Sequence, residues 1–474
     1  MRHSLLTLLL GTLISCPSPA RGQNPAPAPP FGALLKKNLA ALRDAALSDD
    51  YAYREVAYLA DNIGPRPSGS PQAEAAVDYV AGQLRKLGLD VHLEDVKVSR
   101  WIRGVETAEL VDYPGHVPGV TQKIVLTALG GSVPTPPEGI ASEVVAVSDF
   151  DELKTLARDK VQGKIVLFNE LFDKQKAAAG FWSDAYGEAV EYRVHGAKAA
   201  AEMGAIAALV RSVGGADYRI PHTGWALAAG IPMAAVSGED AGLIARLAAQ
   251  GRVRMHLLLT SRDGPEVLSH NVVADLKGSE HPEQLVIVSG HLDSWDLGTG
   301  AIDDAAGVAV AMETAELVQR LGLHPRRTIR VVAWMDEENG GHGHDAYPAA
   351  HKAEIANHVA AVESDLGAGH PLGLHAKASS QAVALLAPIQ EVLQSFGANL
   401  IQRTDYSPGS DIAPLAKLGV PAFGILQDGR TYFNYHHTPA DTLDKIVPQE
   451  LRENAAVMVV LGYALADLSD PLPR

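Results

Sequence analysis

The chain contains a single cysteine, Cys16, among 474 residues, and it lies close to the amino terminus. If the amino-terminal segment is removed, the mature protein can form no disulfide bond and can use no thiol nucleophile. An excess of basic residues is also absent: 40 Lys and Arg stand against 56 Asp and Glu, a formal net charge of -16. Non-specific nucleic-acid binding needs basic patches, so this charge argues against a nucleic-acid partner.

The chain also lacks a membrane-spanning segment at its amino terminus, because the apolar run at residues 5–15 is too short for a stable anchor. Small residues at positions 20–22 predict cleavage before Gln23, which gives a signal peptide (1–22) and a secreted or periplasmic protein. Residues 13–16 resemble a lipobox, and the alternative is a membrane-anchored lipoprotein with its lipid on Cys16. Residues 23–30 are a Pro/Ala linker.

Short apolar segments that end in polar loops occur four times in the second half of the chain. They are residues 285–288, 328–334, 358–362 and 420–426, and they are typical of buried strands in a parallel sheet. Open α/β sheets bind ligands beyond the carboxyl ends of their strands, so the four loops meet at one edge if the strands are parallel. These loops carry five side chains that suit zinc: His291, Asp303, Glu338, Asp365 and His437.

The number of these ligands predicts two zinc ions per chain. A catalytic zinc takes about three protein ligands and keeps one position open. Five residues provide three ligands to each of two ions if one carboxylate bridges them, and such ions lie about 3.5–4 Å apart. Glu337 is then left over beside Glu338. Adjacent residues just past a strand can point in different directions, so Glu337 can act as general base on the attacking water.

Four segments resemble the co-catalytic di-zinc exopeptidases, a family that includes bacterial leucyl aminopeptidases and glutamate carboxypeptidases. The segments are GHLDSWDLGTGAIDD (290–304), WMDEENGG (334–341), ESD (363–365) and HHTPADT (436–442), and they occur in the order found in the family. The resemblance extends from about residue 50 to the carboxyl terminus. It implies roles for seven residues: His291 and Asp365 on one zinc, Glu338 and His437 on the other, Asp303 as the bridge, Glu337 as the catalytic base, and Asp293 as the carboxylate that orients a histidine ligand.

Neighbouring residues leave alternatives within these motifs. Asp304 could take the bridging position, but the family spacing favours Asp303. His436 adjoins His437 and stands where several family members have a tyrosine that stabilises the tetrahedral intermediate. The resemblance therefore assigns His436 either to that role or to substrate binding. Residues 410–411 resemble another family segment near the substrate and equally fit the N-cap of the helix that follows.

A long central stretch carries none of these motifs. Residues 121–261 alternate strand and helix patterns and resemble the protease-associated domain that is inserted in many family members. The zinc peptidase domain is then discontinuous, comprising residues 31–120 and 262–474. Its elements predict an α/β fold, an α/β/α sandwich around a mostly parallel sheet. The insertion would either cover the active-site edge and narrow substrate access, or be inert.

The predicted function is that of a secreted di-zinc exopeptidase that hydrolyses short peptides or dipeptides. Aminopeptidase or dipeptidase action is favoured over carboxypeptidase action, because similar family members act on dipeptides and unblocked termini. No G-x-S-x-G nucleophile elbow accompanies the site, so metal ligands explain the Asp and His residues better than a serine triad. The alternatives are a single-zinc enzyme like glutaminyl cyclase and a non-catalytic binding protein like the transferrin receptor. The resemblance also implies a homodimer.

Overall fold

The computed structural model describes residues 31–474, so the predicted signal peptide, its Cys16 and the linker lie outside the described residues. The strands are β1 (Asp90–Ile102), β2 (Glu106–Asp112), β3 (Gln122–Ile124), β4 (Leu126–Ala128), β5 (Ile140–Val147), β6 (Ile165–Phe168), β7 (Ala207–Arg211), β8 (Met233–Val236), β9 (Arg254–Leu259), β10 (Arg262–Leu276), β11 (His281–His291), β12 (Arg327–Trp334), β13 (His358–Glu363), β14 (Pro371–Lys377), β15 (Leu400–Arg403) and β16 (Ala422–Gln427).

The α-helices are α1 (Ala33–Ala46), α2 (Tyr51–Ala57), α3 (Pro71–Lys86), α4 (Phe150–Thr155), α5 (Arg158–Val161), α6 (Lys174–Ala178), α7 (Trp182–Glu202), α8 (Gly238–Ala248), α9 (Ala306–Arg320), α10 (His342–Ala350), α11 (Ser380–Leu385), α12 (Ala387–Leu393), α13 (Ala413–Lys417) and α14 (Pro448–Asp467). Short π-helical segments follow α2 at Tyr58–Ile63 and precede α9 at Ala301–Ala305. Among residues 31–474, no helix combines the length and the apolar character needed to cross a membrane.

The first sheet has the strand order β1-β10-β12-β11-β13-β16-β14-β15. Its four central strands, β12, β11, β13 and β16, run parallel to their neighbours within this group. They are the four strands predicted from the apolar segments, and the prediction that their carboxyl ends meet at one edge is confirmed. Strands β10 and β14 run antiparallel to this centre, so the sheet as a whole is mixed.

Helices pack on both faces of the first sheet. Successive side chains of a buried strand point to opposite faces, so one strand contributes side chains to the core on each side. In β12, Ile329 and Val331 pack into the core that contains α1, α9 and α14. Val332 and Trp334 of the same strand pack on the other face, where Tyr347 of α10 lies. Every residue of β12 is buried. The predicted α/β/α sandwich is thereby confirmed.

The second sheet is formed entirely by the strands between Glu106 and Leu259, in the order β3-β2-β9-β5-β6-β7-β8-β4. Helices α7 and α8 pack on its opposite faces. The boundary proposed between residues 120 and 121 falls inside this sheet, because β2 pairs with both β3 and β9. Judged by strand pairing, the insertion begins between β1 and β2. The sequence conceals this point, since only a short turn separates the two strands.

Arg103, in that short turn, joins the two sheets. Its guanidinium forms a salt bridge at 2.7 Å with Asp296, which follows strand β11 of the first sheet. It forms a second salt bridge with Glu106 of β2, also at 2.7 Å, and donates to the carbonyl oxygen of Ala128 at 2.8 Å. Asp296 therefore helps to fix the insertion on the unit that is built around the first sheet.

Candidate active site

Five side chains that follow the parallel strands meet at the carboxyl edge of the first sheet. Nε2 of His291 lies 3.2 Å from Oδ1 of Asp303 and 3.2 Å from Oδ1 of Asp365. Nε2 of His437 lies 3.2 Å from Oδ2 of Asp303 and 2.9 Å from Oε2 of Glu338. The cluster thus consists of two groups of three residues that share Asp303. The structure brings together all five residues predicted to bind zinc.

The chemistry of this cluster fits divalent metal ions. Imidazole nitrogen and carboxylate oxygen are ligands that zinc accepts. Oε1 of Glu338 is buried and has no hydrogen-bond partner within the described chain. Burial raises the pKa of Glu338 to about 8, with Asp303 and Glu337 adding to the shift and His437 opposing it. A buried, unpaired carboxylate is unfavourable, and a bound cation would supply its missing partner.

His291 is oriented by the backbone of Asp293 rather than by its carboxylate. Nδ1 of His291 donates to the carbonyl oxygen of Asp293 at 3.0 Å, which leaves Nε2 free to face the cluster. The Asp293 carboxylate accepts backbone N–H groups from residues 336, 337 and 338 at 2.8, 3.1 and 3.3 Å. Asp293 therefore positions the loop that carries Glu337 and Glu338, a role that the sequence did not indicate.

The turn at residues 65–69 stabilises the loop that follows β11 through side-chain hydrogen bonds. Ser68 donates its hydroxyl to the Asp293 carboxylate at 2.8 Å. The buried guanidinium of Arg66 donates to three backbone carbonyl oxygens at 2.8 Å each, those of Leu292, Thr299 and Gly300. Because these carbonyls lie within the segment from His291 to Asp303, Arg66 helps to fix the conformation between two proposed ligands.

Asp303, and not Asp304, faces the cluster. The carboxylate of Asp304 accepts the backbone N–H groups of His291 at 3.1 Å and Gly307 at 2.9 Å. A Cβ atom at Gly307 would lie 2.2 Å from Asp304 Oδ2, so glycine is required for this approach. Burial alone would raise the pKa of Asp303, but the surrounding histidines hold it well below its usual range. Asp441 secures the loop by accepting the N–H groups of residues 301 and 302.

Glu337 lies beside the cluster and lines the cavity in front of it, but it belongs to neither three-residue group. Burial raises its pKa, Asp365 adds to the shift, and His291 and the hydroxyl of Ser410 oppose it. The Ser410 hydroxyl also donates to Asp365 at 3.4 Å. Helix α13 begins at Ala413 without a side-chain cap, so the N-cap interpretation of residues 410–411 is wrong and these residues lie at the site.

A cavity of about 940 Å³ opens onto the cluster, and both structural units form its walls. The peptidase unit contributes Glu337, His436 and Tyr432, whereas the insertion contributes Trp182 and Arg193. This volume lies in the range of about 300–1,000 Å³ that is usual for small-molecule sites. The insertion thus covers the active-site edge, as one of the two sequence-based interpretations expected.

His436 lies between the cluster and the insertion. Its Nε2 lies 3.6 Å from Oδ2 of Asp303, and its ring stacks on that of His437 with a centroid distance of 3.5 Å. Its Nδ1 lies 3.1 Å from Nε2 of His222, a residue of the insertion. Burial and the neighbouring His437 lower the pKa of His436 well below its usual range.

Arg193 and His222, both in the insertion, lie near the cluster and are among the residues that sequence reasoning missed. Nη1 of Arg193 lies 3.4 Å from Nδ1 of His437 and donates to the hydroxyl of Tyr186 at 2.9 Å. One signal for Arg193 was available. It interrupts a buried stripe of small residues on α7, which includes Ala189, Gly196, Ala197 and Ala200. An arginine in a stripe that packs against a core requires an explanation. No comparable signal marks His222.

Comparisons with known proteins find relatives over most of the chain. Residues 271–462 match the family described as Peptidase family M28. Carboxypeptidase Q from Bos taurus is 39% identical over 429 residues, which cover 89% of this chain and 87% of that protein. The crystal structure of a peptidase M28 precursor from Shewanella amazonensis SB2B is 36% identical, with a TM-score of 0.87, and the match covers 93% of this chain and 98% of that one. A zinc aminopeptidase from Bacillus subtilis shares the fold at 20% identity, with a TM-score of 0.63 and coverage of 90% and 98%.

Proposed function

The chain belongs to Peptidase family M28, and from this premise we propose that it is a di-zinc exopeptidase that cleaves dipeptides and other short peptides with a free carboxyl terminus. The observation that carries the proposal is the pair of three-residue groups that share Asp303 beside Glu337. Family membership confirms the predicted peptidase. The number of zinc ions, the residue roles and the substrate class are proposals.

The five clustered residues would hold two zinc ions, and Asp303 would contribute to both groups. The ions would act as Lewis acids and would lower the pKa of a water molecule toward about 7. Glu337 would accept the proton of the attacking water and donate it to the leaving amine. Its separation from both three-residue groups supports this role. His436, which lines the cavity, would donate a hydrogen bond to the oxygen on which negative charge develops.

Arg193 supports a substrate with a free carboxylate. The residue is 7% exposed, yet none of its nitrogens forms a salt bridge within residues 31–474, and its Nε is buried without a partner there. Buried charges are normally paired, so an anion is missing beside this guanidinium. Arg193 lines the cavity next to His437, where the carboxylate of a bound dipeptide would supply that anion.

The sequence favoured aminopeptidase or dipeptidase action over carboxypeptidase action, and this proposal keeps dipeptidase action and adds the requirement for a free carboxyl terminus. The complete five-residue cluster favours a di-zinc enzyme over a glutaminyl cyclase with one zinc. The presence of Glu337 favours an enzyme over a transferrin-receptor-like binding protein. Cleavage of a signal peptide before Gln23 and secretion remain proposals that rest on the amino-terminal sequence. A protease-associated domain as the insertion and a homodimer remain proposals that rest on the resemblance.

Metal analysis and a small set of peptides test the proposal on the purified mature protein. We expect about two zinc ions per chain after mild dialysis. We also expect a free dipeptide to be cleaved at least about tenfold better than its carboxyl-terminal amide, because the amide cannot form the charge-assisted hydrogen bonds to Arg193. One tightly bound zinc with no activating second ion would contradict the di-zinc site. Equal cleavage of acid and amide would contradict the carboxylate site alone.

A further inference from the structure

We propose that His222, supplied by the insertion, fixes the tautomer of His436 so that the Nε2–H group of His436 points into the active site. His222 does not line the cavity, so it is a positioning residue that acts through His436. The catalytic consequence rests on the proposed peptidase function. The tautomer itself follows from hydrogen-bond partners and can be measured without any substrate.

The two rings make direct contact through their nitrogen atoms. Nε2 of His222 lies 3.1 Å from Nδ1 of His436, within hydrogen-bond distance. The ring centroids are 5.2 Å apart and the planes are inclined by 38°. Both residues are buried, His222 at 1% and His436 at 8% exposure. At this distance one hydrogen lies between the two nitrogens, so one ring donates and the other accepts.

The remaining nitrogen of His222 decides which ring donates. Nδ1 of His222 is buried and has no hydrogen-bond partner anywhere in the described residues. If His436 donated to His222, the proton of His222 would sit on Nδ1 as a buried N–H group without an acceptor, and such groups are rare in folded proteins. A doubly protonated His222 would have the same defect. If His222 donates from Nε2, its Nδ1 carries no hydrogen, and an unpartnered acceptor nitrogen takes the place of the less favourable unpartnered N–H group.

This arrangement places the proton of His436 on Nε2. A neutral imidazole has one donor and one acceptor nitrogen, and Nδ1 of His436 is already occupied as the acceptor. The Nε2 atom lies 3.6 Å from Oδ2 of Asp303, and the ring lines the cavity. The only N–H group of His436 is therefore directed toward the reacting atoms, where a preorganised donor is most effective.

The backbone around His222 holds the contact in place. The N–H of His222 donates to the hydroxyl of Ser212 at 3.0 Å. The next residue, Thr223, donates its N–H to the carbonyl oxygen of His437 at 2.9 Å. Gly215 donates in the same way to Phe433 at 3.0 Å. The insertion is thereby bonded to the loop that carries both histidines, so the ring contact has a defined geometry.

Nitrogen-15 NMR of the histidine side chains in the full mature protein tests the tautomer. The H436F variant identifies the His436 signals. In the wild type we expect an unprotonated Nδ1 and a protonated Nε2 on His436. H222Q should preserve this state, because the amide NH₂ group of glutamine can donate from a position close to Nε2. H222F has no donor and should lose it. A proton on Nδ1 of His436 in the wild type, or an unchanged tautomer in H222F, would overturn the inference.

Kinetics of the same variants test the consequence. H222F should lower kcat by about 10–100-fold, somewhat less than the 10²–10³ expected for loss of an oxyanion donor, with zinc content and KM nearly unchanged. H222Q should stay within about threefold of wild type, because it retains the donor. In an H436F background, H222F should add less than about twofold, since the two residues act as a unit. An H222Q variant as impaired as H222F at equal thermal stability, or additive losses, would contradict the inference.

Two further outcomes separate this inference from the proposed function. If the wild type shows the expected tautomer but hydrolyses no peptide, the proposed function fails and the tautomer assignment stands. If H222F does not fold, H222N replaces it, because asparagine is polar but too short to reach Nδ1 of His436. H222N should then show the same altered tautomer, and a wild-type tautomer in H222N would overturn the inference.

Discussion

The adjacent residues Glu337 and Glu338 provide the sharpest test of the proposed mechanism. Glutamine is nearly isosteric with glutamate, but it carries no charge and cannot take up a proton as a base. Glu337 belongs to neither three-residue group, so E337Q should retain the fold and both zinc ions. Its kcat/KM should nevertheless fall by about 10²–10⁴, the usual contribution of a positioned general base, or about 3–5 kcal/mol in the activation barrier.

E338Q should behave differently, because Glu338 is one of three members of its group. Its Oε2 lies 2.9 Å from Nε2 of His437, and its Oε1 is buried with no partner among residues 31–474. Loss of the charge removes one of the two carboxylate ligands from a group whose other members are Asp303 and His437. We expect zinc content to fall from about two toward about one per chain, and activity to fall with it.

Zinc quantification after identical dialysis, kcat/KM on a free dipeptide and thermal melting distinguish the two variants. E391Q is a matched control, since Glu391 is exposed, forms its one salt bridge among residues 31–474 with Lys36, and belongs to neither three-residue group. It should match the wild type in all three measurements. Zinc loss in E337Q together with full zinc in E338Q would reverse the two assignments. Full activity of E337Q would refute the mechanism.

Two other substitutions test the structure away from the metal ligands. Alanine in place of Gly224 would put a Cβ atom 2.3 Å from Nη1 of Arg193, on a backbone with φ of +140°. G224A should therefore raise the KM for a free dipeptide about tenfold and leave the KM for its amide unchanged, as measured by steady-state kinetics. Burial raises the pKa of Glu313 to about 8, and Asp49 and Glu316 add to the shift while the N–H of Ala52 and Arg320 oppose it. A carboxyl whose folded-state pKa is raised favours folding while it is protonated, and this contribution is lost as the pH rises through about 8. E313Q should therefore melt at a higher temperature than the wild type at pH 9 and close to it at pH 5, and an equal shift at both pH values would contradict the assignment.

Much of the peptidase unit could be predicted from the sequence because the relevant signals are local. Each of the four central strands contains a mainly apolar segment. His291 is the last residue of β11, and the other four proposed ligands lie in the segments that follow these strands. Parallel pairing then brings the loops together regardless of the details of packing. The choice of Asp303 rather than Asp304 came from the family spacing, which did not show that Asp304 is held by two backbone N–H groups.

The contributions of Arg66, Arg193 and His222 could not be predicted, because they depend on contacts between distant parts of the chain. Arg66 contacts carbonyls that lie more than two hundred residues later in the sequence. His222 meets His436 only because the insertion folds back onto the peptidase unit. The boundary of the insertion was misplaced for a related reason: whether β2 pairs with β1 or with β9 is a tertiary property that its residue pattern does not specify.

These contacts change how the insertion should be understood. The sequence offered two interpretations, a cover that narrows access or an inert addition. A cover needs only bulk, and Trp182 provides bulk at the cavity wall. Arg193 and His222, by contrast, are buried polar groups whose unpartnered atoms are costly for an inert domain to retain. Contact with the peptidase unit gives His222 its partner His436, and the proposed substrate carboxylate would give Arg193 its missing anion beside His437. The roles proposed here therefore make the insertion a part of the active site, with recognition assigned to Arg193 and orientation of a donor assigned to His222.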